Sequence, residues 1–260
     1  MTTNSAFTKT SLILLLAVLI ILAGIGTGRL TKKVRAQYVA APYSITVREW
    51  ATDGTTTTPV TETFLGRRSD GATVKITKIP SGLGVKDLEF PAENLDMTII
   101  GNVKLVMGLG PRHPREVPPA SEVCELYQDM NAKDLGTTQF LGFTVLHRKA
   151  EGPQYTEHDM ETFVAPALGC AELKSVRYWK TNGVLTGEVS TKEAVKVSAA
   201  EPDPSVFFIP PEQQDVSPEG LAMVANPGLS RSTMSARQKQ TYDRKNARWS
   251  DMKRIREQAQ

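Results

Sequence analysis

The chain has 260 residues, of which 40% are hydrophobic and 23% charged, and this composition excludes a disordered or collagen-like chain. Its net charge is +3, but five basic residues and no acid lie in residues 1–36, and nine basic residues against three acids lie in residues 231–260. The body between these ends is therefore acidic. Nucleic-acid binding by the body is disfavoured because an acidic surface repels phosphate backbones.

Residues 11–28 form an uncharged run dominated by Leu, Ile, Val and Ala. A helix over this run would be about 27 Å long, close to the thickness of a bilayer's hydrocarbon core. The run is also longer than the apolar region of a signal peptide, which is usually about 7–15 residues. We therefore expect residues 1–36 to be a single-pass membrane anchor. The alternative is a signal segment that is cleaved after Ala36, with secretion of the rest.

Two patterns disagree on which side of the membrane the body lies. Four basic residues follow the apolar run within residues 29–35, whereas only Lys9 precedes it, and positive residues favour the cytoplasmic side. The body, in contrast, is rich in Thr, Gly, Pro and short predicted strands, as exported β domains often are. We expect an extracytoplasmic, periplasmic body, and a cytoplasmic body is the alternative.

From Tyr43 onward apolar and polar residues alternate, which is typical of half-buried strands. Tyr43, Ile45 and Val47 share one predicted face, and Val74 and Ile76 are predicted to point inward from a later strand. Nine short strands are predicted at residues 43–50, 59–68, 72–79, 84–90, 96–107, 139–148, 158–165, 173–180 and 186–199. The pattern favours a mainly β domain over residues 37–225, built as a curved antiparallel sheet or half-barrel.

Three segments interrupt this pattern. Residues 110–122 are rich in proline and are predicted to form a loop, because proline fits neither a helix interior nor a central strand. Residues 125–134 could form one short helix. After Glu201-Pro-Asp-Pro204 breaks the last strand, residues 206–209 are predicted to form a short apolar peg.

The tail, residues 226–260, is basic, and its residues 232–258 contain no Gly or Pro, which predicts a helix. Tyr242, Trp249, Met252 and Ile255 give this helix a thin apolar stripe. The helix is either solvated, or bound to an anionic membrane surface, or docked on the acidic body, with nucleic-acid binding as a further alternative. The candidate residues for a membrane or partner contact are Tyr242, Arg244, Lys245, Arg248, Trp249, Met252 and Lys253.

The chain has two cysteines, Cys124 and Cys170. In an oxidising compartment they could form a disulfide, which would close a loop of about 45 residues and contribute roughly 3–4 kcal/mol. The alternative is two unpaired, buried thiols. Because no Cys-x-x-Cys is present, redox catalysis has little support.

Residue types that carry catalysis or bind metals are scattered along the chain. His113, His147 and His158 lack the close spacing of zinc ligands, and no serine lies in a Gly-x-Ser-x-Gly elbow. The glycine pairs near residues 82–84 and 108–110 lack a phosphate-binding fingerprint. We therefore expect no catalytic, metal-binding or cofactor-binding residues, and a protein that is not an enzyme.

Three stretches carry a family resemblance: Arg67-Arg68-Ser69-Asp70-Gly71, Phe163-Val-Ala-Pro-Ala-Leu-Gly-Cys170 and Glu201-Pro-Asp-Pro-Ser-Val-Phe207. Together with the long meander of strands, they resemble uncharacterised bacterial exported proteins, which are similar to the half-barrel envelope proteins of the LolA, LolB and RseB type. The resemblance covers residues 43–221. It implies a curved antiparallel sheet around an apolar concavity that holds lipid or acyl chains or senses them, and it transfers no catalytic residue.

Three functions follow as hypotheses. The first is a non-enzymatic, membrane-anchored envelope protein that binds an apolar ligand or a protein partner in its curved sheet, and it predicts a concave face lined by Ile, Val, Leu and Phe. The second is a structural or assembly factor that acts through the basic tail, and it predicts a filled core. The third is an unrecognised hydrolase, which requires His147 or His158 near a carboxylate in a pocket.

Overall fold

The computed structural model describes residues 40–78, 84–117, 132–152 and 154–258. Twelve β-strands lie within these ranges. In chain order they are β1 Tyr43–Thr52, β2 Thr61–Arg67, β3 Thr73–Lys78, β4 Gly84–Phe90, β5 Leu95–Ile100, β6 Val103–Gly108, β7 Lys133–Phe140, β8 Phe143–Ala150, β9 His158–Ala165, β10 Ala171–Thr181, β11 Val184–Ser198 and β12 Gln214–Asp215.

All twelve described strands belong to one open, curved sheet with the order β12-β6-β5-β4-β3-β2-β1-β11-β10-β9-β8-β7. Neighbouring strands are antiparallel, except that β12 runs parallel to β6. Strand β1 pairs with β2 on one side and with the end of the meander, β11, on the other. The predicted mainly β fold with a curved antiparallel sheet is therefore confirmed.

Two of the predicted strands are each divided by a tight turn. The predicted strand 96–107 is the hairpin of β5 and β6, which turns at Gly101 with φ 57°. The predicted strand 139–148 contains the turn between β7 and β8, where Leu141 and Gly142 have φ values of 49° and 81°. Positive φ at both central residues is the backbone of a type I′ hairpin turn, and leucine is a poor sequence signal for it.

Two predicted helices fall partly or wholly outside the described residues. Of the short helix predicted at 125–134, residues 125–131 lie outside them, and Lys133 and Asp134 belong to strand β7, so the prediction is wrong at its C-terminal end. The predicted anchor helix at residues 11–28 also lies outside the described residues. Within the ranges that are described, no helix combines the length and apolar character needed to cross a bilayer.

The buried side chains on the two faces of the sheet come from different strands. We call the front face the one that carries Ile45, Leu65 and Lys75, which lie opposite one another on β1, β2 and β3. On the back face, Val74, Leu88, Met97 and Val106 form a continuous row across β3 to β6. Val74, which is predicted to point inward, and Ile45 are both buried, but they point to opposite faces.

The described residues form two hydrophobic clusters. The first cluster centres on the front-face residues Ile45 and Val47 and on Leu168 and Leu173, both fully buried. The second lies on the back face of β3 to β6 and is capped by Phe207 from the 3₁₀ helix Pro204–Phe207. Val206 and Ile209 pack against the same cluster, which confirms the predicted apolar peg.

Two α-helices follow the sheet: α1 Pro218–Ala225 and α2 Ala236–Gln258. Helix α1 begins where the Ser217 hydroxyl accepts a hydrogen bond from the Gly220 N–H, with Pro218 at the first helical position. Helix α2 confirms the predicted helical tail and packs against α1 and against β6.

Candidate functional site

A cavity of about 430 Å³ opens on the front face of β1, β2 and β8 to β10, and Lys192 of β11 also lines it. We call it the basic cavity. Its apolar wall consists of Ile45, Leu65, Met160 and Val164. These residues come from three strands, and each lies at an alternate position that points to the front. The cavity is thus built by the same alternation that predicts the strands. Of its wall residues, Leu65 and Met160 are half-buried, whereas Ile45 and Val164 are buried.

Four basic side chains line the same cavity: Arg67, Arg148, Arg177 and Lys192. The register sets three of them close together. Thr162 on β9 lies opposite Arg148 on β8 and opposite Ser175 on β10, and Ser175 in turn lies opposite Lys192. Two residues further along, Arg177 lies opposite Met160. Cations from three strands therefore converge on β9.

The acid that accompanies these cations is Glu172, which also lines the cavity. It accepts a hydrogen bond of 3.1 Å from the Lys192 amine and one of 3.0 Å from the Ser175 hydroxyl. Lys192 is therefore neutralised within the cavity. In contrast, the half-buried side chains of Arg148 and Arg177 form no ion pair or hydrogen bond with any other residue that the structure describes.

Arg67 closes one end of the basic cavity. Its guanidinium donates to the carbonyl oxygens of Leu168, at 2.7 Å, and Ala41, at 2.8 Å, and stacks over the Tyr43 ring. The position of Gly169 leaves room for this contact, because a Cβ atom there would lie 2.3 Å from Arg67 Nη2. The backbone carbonyl oxygens of Ala41 and Leu168 thus hold the Arg67 guanidinium in place at this end of the cavity.

The three stretches that carry the family resemblance meet at this end. Beyond the contact between Arg67 and Leu168, the Glu201 carboxylate accepts a hydrogen bond of 3.0 Å from the Ser69 N–H. The Arg68 guanidinium lies 5.4 Å from the centre of the Phe207 ring. Segments that are a hundred or more residues apart in sequence therefore meet at the end of strand β2.

A second front-face cavity of about 460 Å³ lies over β2 to β5 and shares Tyr43 and Leu65 with the basic cavity. We call it the acidic groove because Asp87, Glu89 and Asp96 line it. Each carboxylate accepts a hydrogen bond. Their donors are Thr98 at 2.7 Å from Asp87, Thr73 at 3.3 Å from Glu89, and Arg115, whose two nitrogens lie 2.6 and 3.2 Å from Asp96.

Of the two predicted disulfide partners, only Cys170 is described. It is buried, with φ 60°, and lines the basic cavity directly after the 3₁₀ helix Pro166–Leu168. Cys124 lies outside the described residues. The described residues contain no free cysteine, so Cys170 is not an unpaired thiol, and its pairing with Cys124 stays a prediction.

The residues predicted as a membrane or partner contact divide between two sides of α2. Tyr242, Trp249, Met252 and Lys253 are half-buried, whereas Arg244, Lys245 and Arg248 are exposed. Ile255, which the sequence places in the same apolar stripe, is exposed instead. The half-buried side is used in packing within the chain, and the contact itself stays a prediction.

A polar cluster fixes the tail helix to α1. The buried Glu219 carboxylate accepts hydrogen bonds from Arg231, at 2.6 Å, and from the Asn246 side chain, at 2.9 Å, while Arg231 also pairs with Asp243. The carboxylates of Asp243 and Glu219 raise the pKa of the Arg231 guanidinium above its ordinary value. This cluster holds α2 through charge, since its apolar stripe is thin.

The histidines do not lie in the basic cavity. His147 stacks on Phe163 with ring centres 4.2 Å apart, and its Nε2 lies 3.3 Å from a Glu161 oxygen. His158 packs beside Trp179. His147 and Glu161 alternate with the cavity residues Arg148 and Thr162 and so point to the back face. The carboxylate neighbour that a hydrolase requires is present, but it is remote from the cavity.

Sequence reasoning missed the cavity's arginines. Arg148 and Arg177 each lie on a predicted strand in an alternating pattern, where a basic residue is read as solvent-facing. The available signal was weak: Arg148 lies between Leu146 and Ala150 on the same strand face, so a cation interrupts an apolar row. Only the pairing of β8, β9 and β10 shows that the two arginines share a cavity.

Comparison with known proteins finds several solved structures to which part of this chain is similar. An uncharacterised conserved protein from Thermus thermophilus is 11% identical, with 68% of this chain and 90% of that chain covered and a TM-score of 0.43. MucB of Pseudomonas aeruginosa, solved with MucA, is 12% identical over 68% of this chain and 59% of that one, with a TM-score of 0.32. A LolA superfamily protein from Nitrosomonas europaea is 11% identical, with coverages of 67% and 94% and a TM-score of 0.30.

MucB and the LolA superfamily protein are of the kinds that the sequence resemblance names. No family model matches the chain. No curated protein matches it either.

Proposed function

We propose that this chain is a non-enzymatic envelope protein that is held at a membrane by residues 11–28 and binds a ligand with an apolar part in the basic cavity. The periplasmic position of the sheet and the membrane anchor belong to this proposal. The observation that carries it is an open cavity of about 430 Å³ with Ile45, Leu65, Met160 and Val164 in its wall. Cavities that hold small ligands usually have volumes of about 300–1,000 Å³ and mainly apolar linings.

The contrast between the two faces supports the same function. The back face of β3 to β6 is filled by Phe207 and its neighbours, as expected of a structural core. On the front face, Leu65 packs against the first cluster and still lines both cavities. Burial of apolar surface against a ligand is favourable by about 25 cal/mol per Å², so the half-buried Leu65 and Met160 favour binding of an alkyl chain.

Photolabelling in membranes tests this proposal with the full-length chain. The protein is reconstituted in phosphatidylcholine vesicles with a long-chain alcohol that carries a diazirine, and labelled peptides are mapped by mass spectrometry. We expect labels on β8 and β9 in addition to labels on residues 11–28. Thr162→Trp should remove most of the label from β8, because the indole fills the space opposite Arg148.

Thr191→Trp is the matched control, since Thr191 pairs with Trp50 and points to the back face. It should leave the labelling of β8 unchanged. Labels confined to residues 11–28 in the wild-type protein would contradict the proposal, because the cavity would then hold no apolar ligand.

A further inference from the structure

Arg148 and Arg177 flank strand β9 on the front face. Arg148 lies opposite Thr162, and Arg177 lies opposite Met160, two residues away on the same strand. The arginines are thus separated by two strand spacings, about 10 Å, and by an offset of about 7 Å along the strand. Arginine side chains are long enough for the two guanidinium groups to approach one group bound over β9.

The other cations of the cavity already have acceptors. Lys192 donates to Glu172, and Arg67 donates to two backbone carbonyl oxygens. Arg148 and Arg177 have no acceptor among the described residues, although both are half-buried. Partial removal of a charge from water is unfavourable unless it is paired, so these two groups are suited to an anion that arrives with a ligand.

The apolar wall begins directly beside these charges. Met160 lies opposite Arg177 on one side and opposite Ala150 on the other, and Val164 lies two residues beyond Thr162. Leu65 and Ile45 continue the wall on β2 and β1. A ligand that reaches from the arginines to Leu65 would therefore have a charged end and an apolar end.

We propose that the basic cavity binds an anionic amphiphile, whose carboxylate or phosphate headgroup pairs with Arg148 and Arg177 and whose alkyl chain lies against Met160, Val164 and Leu65. The planar guanidinium matches both headgroups because it donates two parallel hydrogen bonds to a carboxylate or a phosphate. This inference rests on the proposed function and names the ligand class for the same cavity.

The experiment compares two diazirine probes of equal chain length in vesicles that contain the full-length protein: a fatty acid and its alcohol. We expect the fatty acid to label β8 and β9 about tenfold more than the alcohol, since hydrogen bonds to charged groups are among the stronger ones in proteins. Arg148→Gln and Arg177→Gln should each remove this preference, whereas Arg148→Lys should keep part of it.

Lys196→Gln is the control, because Lys196 is exposed, lies opposite Thr46 and points to the back face. It removes one positive charge from the same sheet and should leave the preference intact. Thermal unfolding of each variant checks that the sheet is folded. Equal labelling by the two probes in the wild-type protein would overturn the headgroup assignment while leaving the proposed function standing.

Competition separates a lipid from a free anion as the source of the headgroup. Dodecyl phosphate should suppress labelling by the fatty acid, whereas inorganic phosphate at the same concentration should not. Equal suppression by inorganic phosphate would overturn the amphiphile in favour of a small-anion site. If neither probe labels β8 or β9 while both label residues 11–28, the proposed function itself fails.

Discussion

The basic cavity and the acidic groove lie side by side on the front face and share Tyr43 and Leu65, yet their charges are used differently. In the acidic groove every lining carboxylate accepts a hydrogen bond from Thr73, Thr98 or Arg115. In the basic cavity Arg148 and Arg177 have no such partner among the described residues. A charged lining therefore marks a binding site only where the charges are left for a ligand to pair.

The largest expected effect tests whether the two regions are supported by one cooperative core. Leu168 of the first cluster and Leu88 of the second are almost fully buried. Leu168→Ala and Leu88→Ala should each lower the free energy of unfolding by about 2–5 kcal/mol, because each leaves a cavity in a packed interior. Denaturant unfolding followed by circular dichroism and tryptophan fluorescence measures this loss.

Strand β2 contributes to both clusters, through Leu65 in the first and Phe64 in the second, so both variants should shift one common transition. The control is Leu185→Ala, because Leu185 is exposed near the tip of the β10–β11 hairpin and its loss should change stability by less than about 0.5 kcal/mol. Two separate transitions, each sensitive to only one variant, would show that the regions unfold independently.

The next largest effect is on ligand binding. It is expected when a carboxylate is introduced into the basic cavity, because an arginine there would then be paired within the protein, as the carboxylates of the acidic groove already are. Met160 lies opposite Arg177, where cross-strand side chains are about 5 Å apart. Met160→Glu should therefore pair with Arg177 and lower the affinity for an anionic amphiphile about hundredfold, because the new carboxylate also repels the headgroup. Photolabelling by the diazirine fatty acid measures the loss.

Met160→Gln is the matched control, since it has nearly the same shape as the glutamate and no charge. It should keep most of the preference for the fatty acid over the alcohol. If the glutamate and glutamine variants lose binding equally, the thioether of Met160 matters for packing and the pairing of Arg177 is irrelevant.

Most of the fold could be predicted from the sequence because local alternation determines it. β1, β3, β4 and β9 begin and end within two residues of their predicted bounds, and the tail helix follows from the absence of Gly and Pro. The turn at Leu141-Gly142 could not, because leucine rarely takes a positive φ. Helix α1 has only eight residues, which is too short for a clear helical period in the sequence.

The candidate site could be predicted far less well. Arg148 and Arg177 are 29 positions apart and meet only because β8 and β10 both pair with β9. Whether the two arginines are available to a ligand also depends on their having no acceptor among the described residues. No local sequence pattern shows this. Similarly, the alternation places Ile45 on one face of its strand and Val74 inward, but the switch of the buried face between β1 and β3 depends on the whole sheet.

The smallest expected effect concerns the strongest-looking contact of the acidic groove. The Arg115 guanidinium binds both oxygens of Asp96, but the two side chains are 39% and 45% exposed. Water competes for an ion pair at that exposure, so such pairs usually contribute only about 0–1 kcal/mol. Arg115→Gln should therefore lower the free energy of unfolding by less than about 1 kcal/mol, and by less still in high salt.

The same variant should leave labelling of β8 and β9 by the fatty acid unchanged, because Arg115 does not line the basic cavity. Denaturant unfolding at two salt concentrations, together with photolabelling, measures both quantities on one protein. A large loss of labelling in Arg115→Gln would show that the charges of the acidic groove and of the basic cavity act together on the ligand. The distinction between charges that are paired within the protein and charges that are left for a ligand would then be wrong.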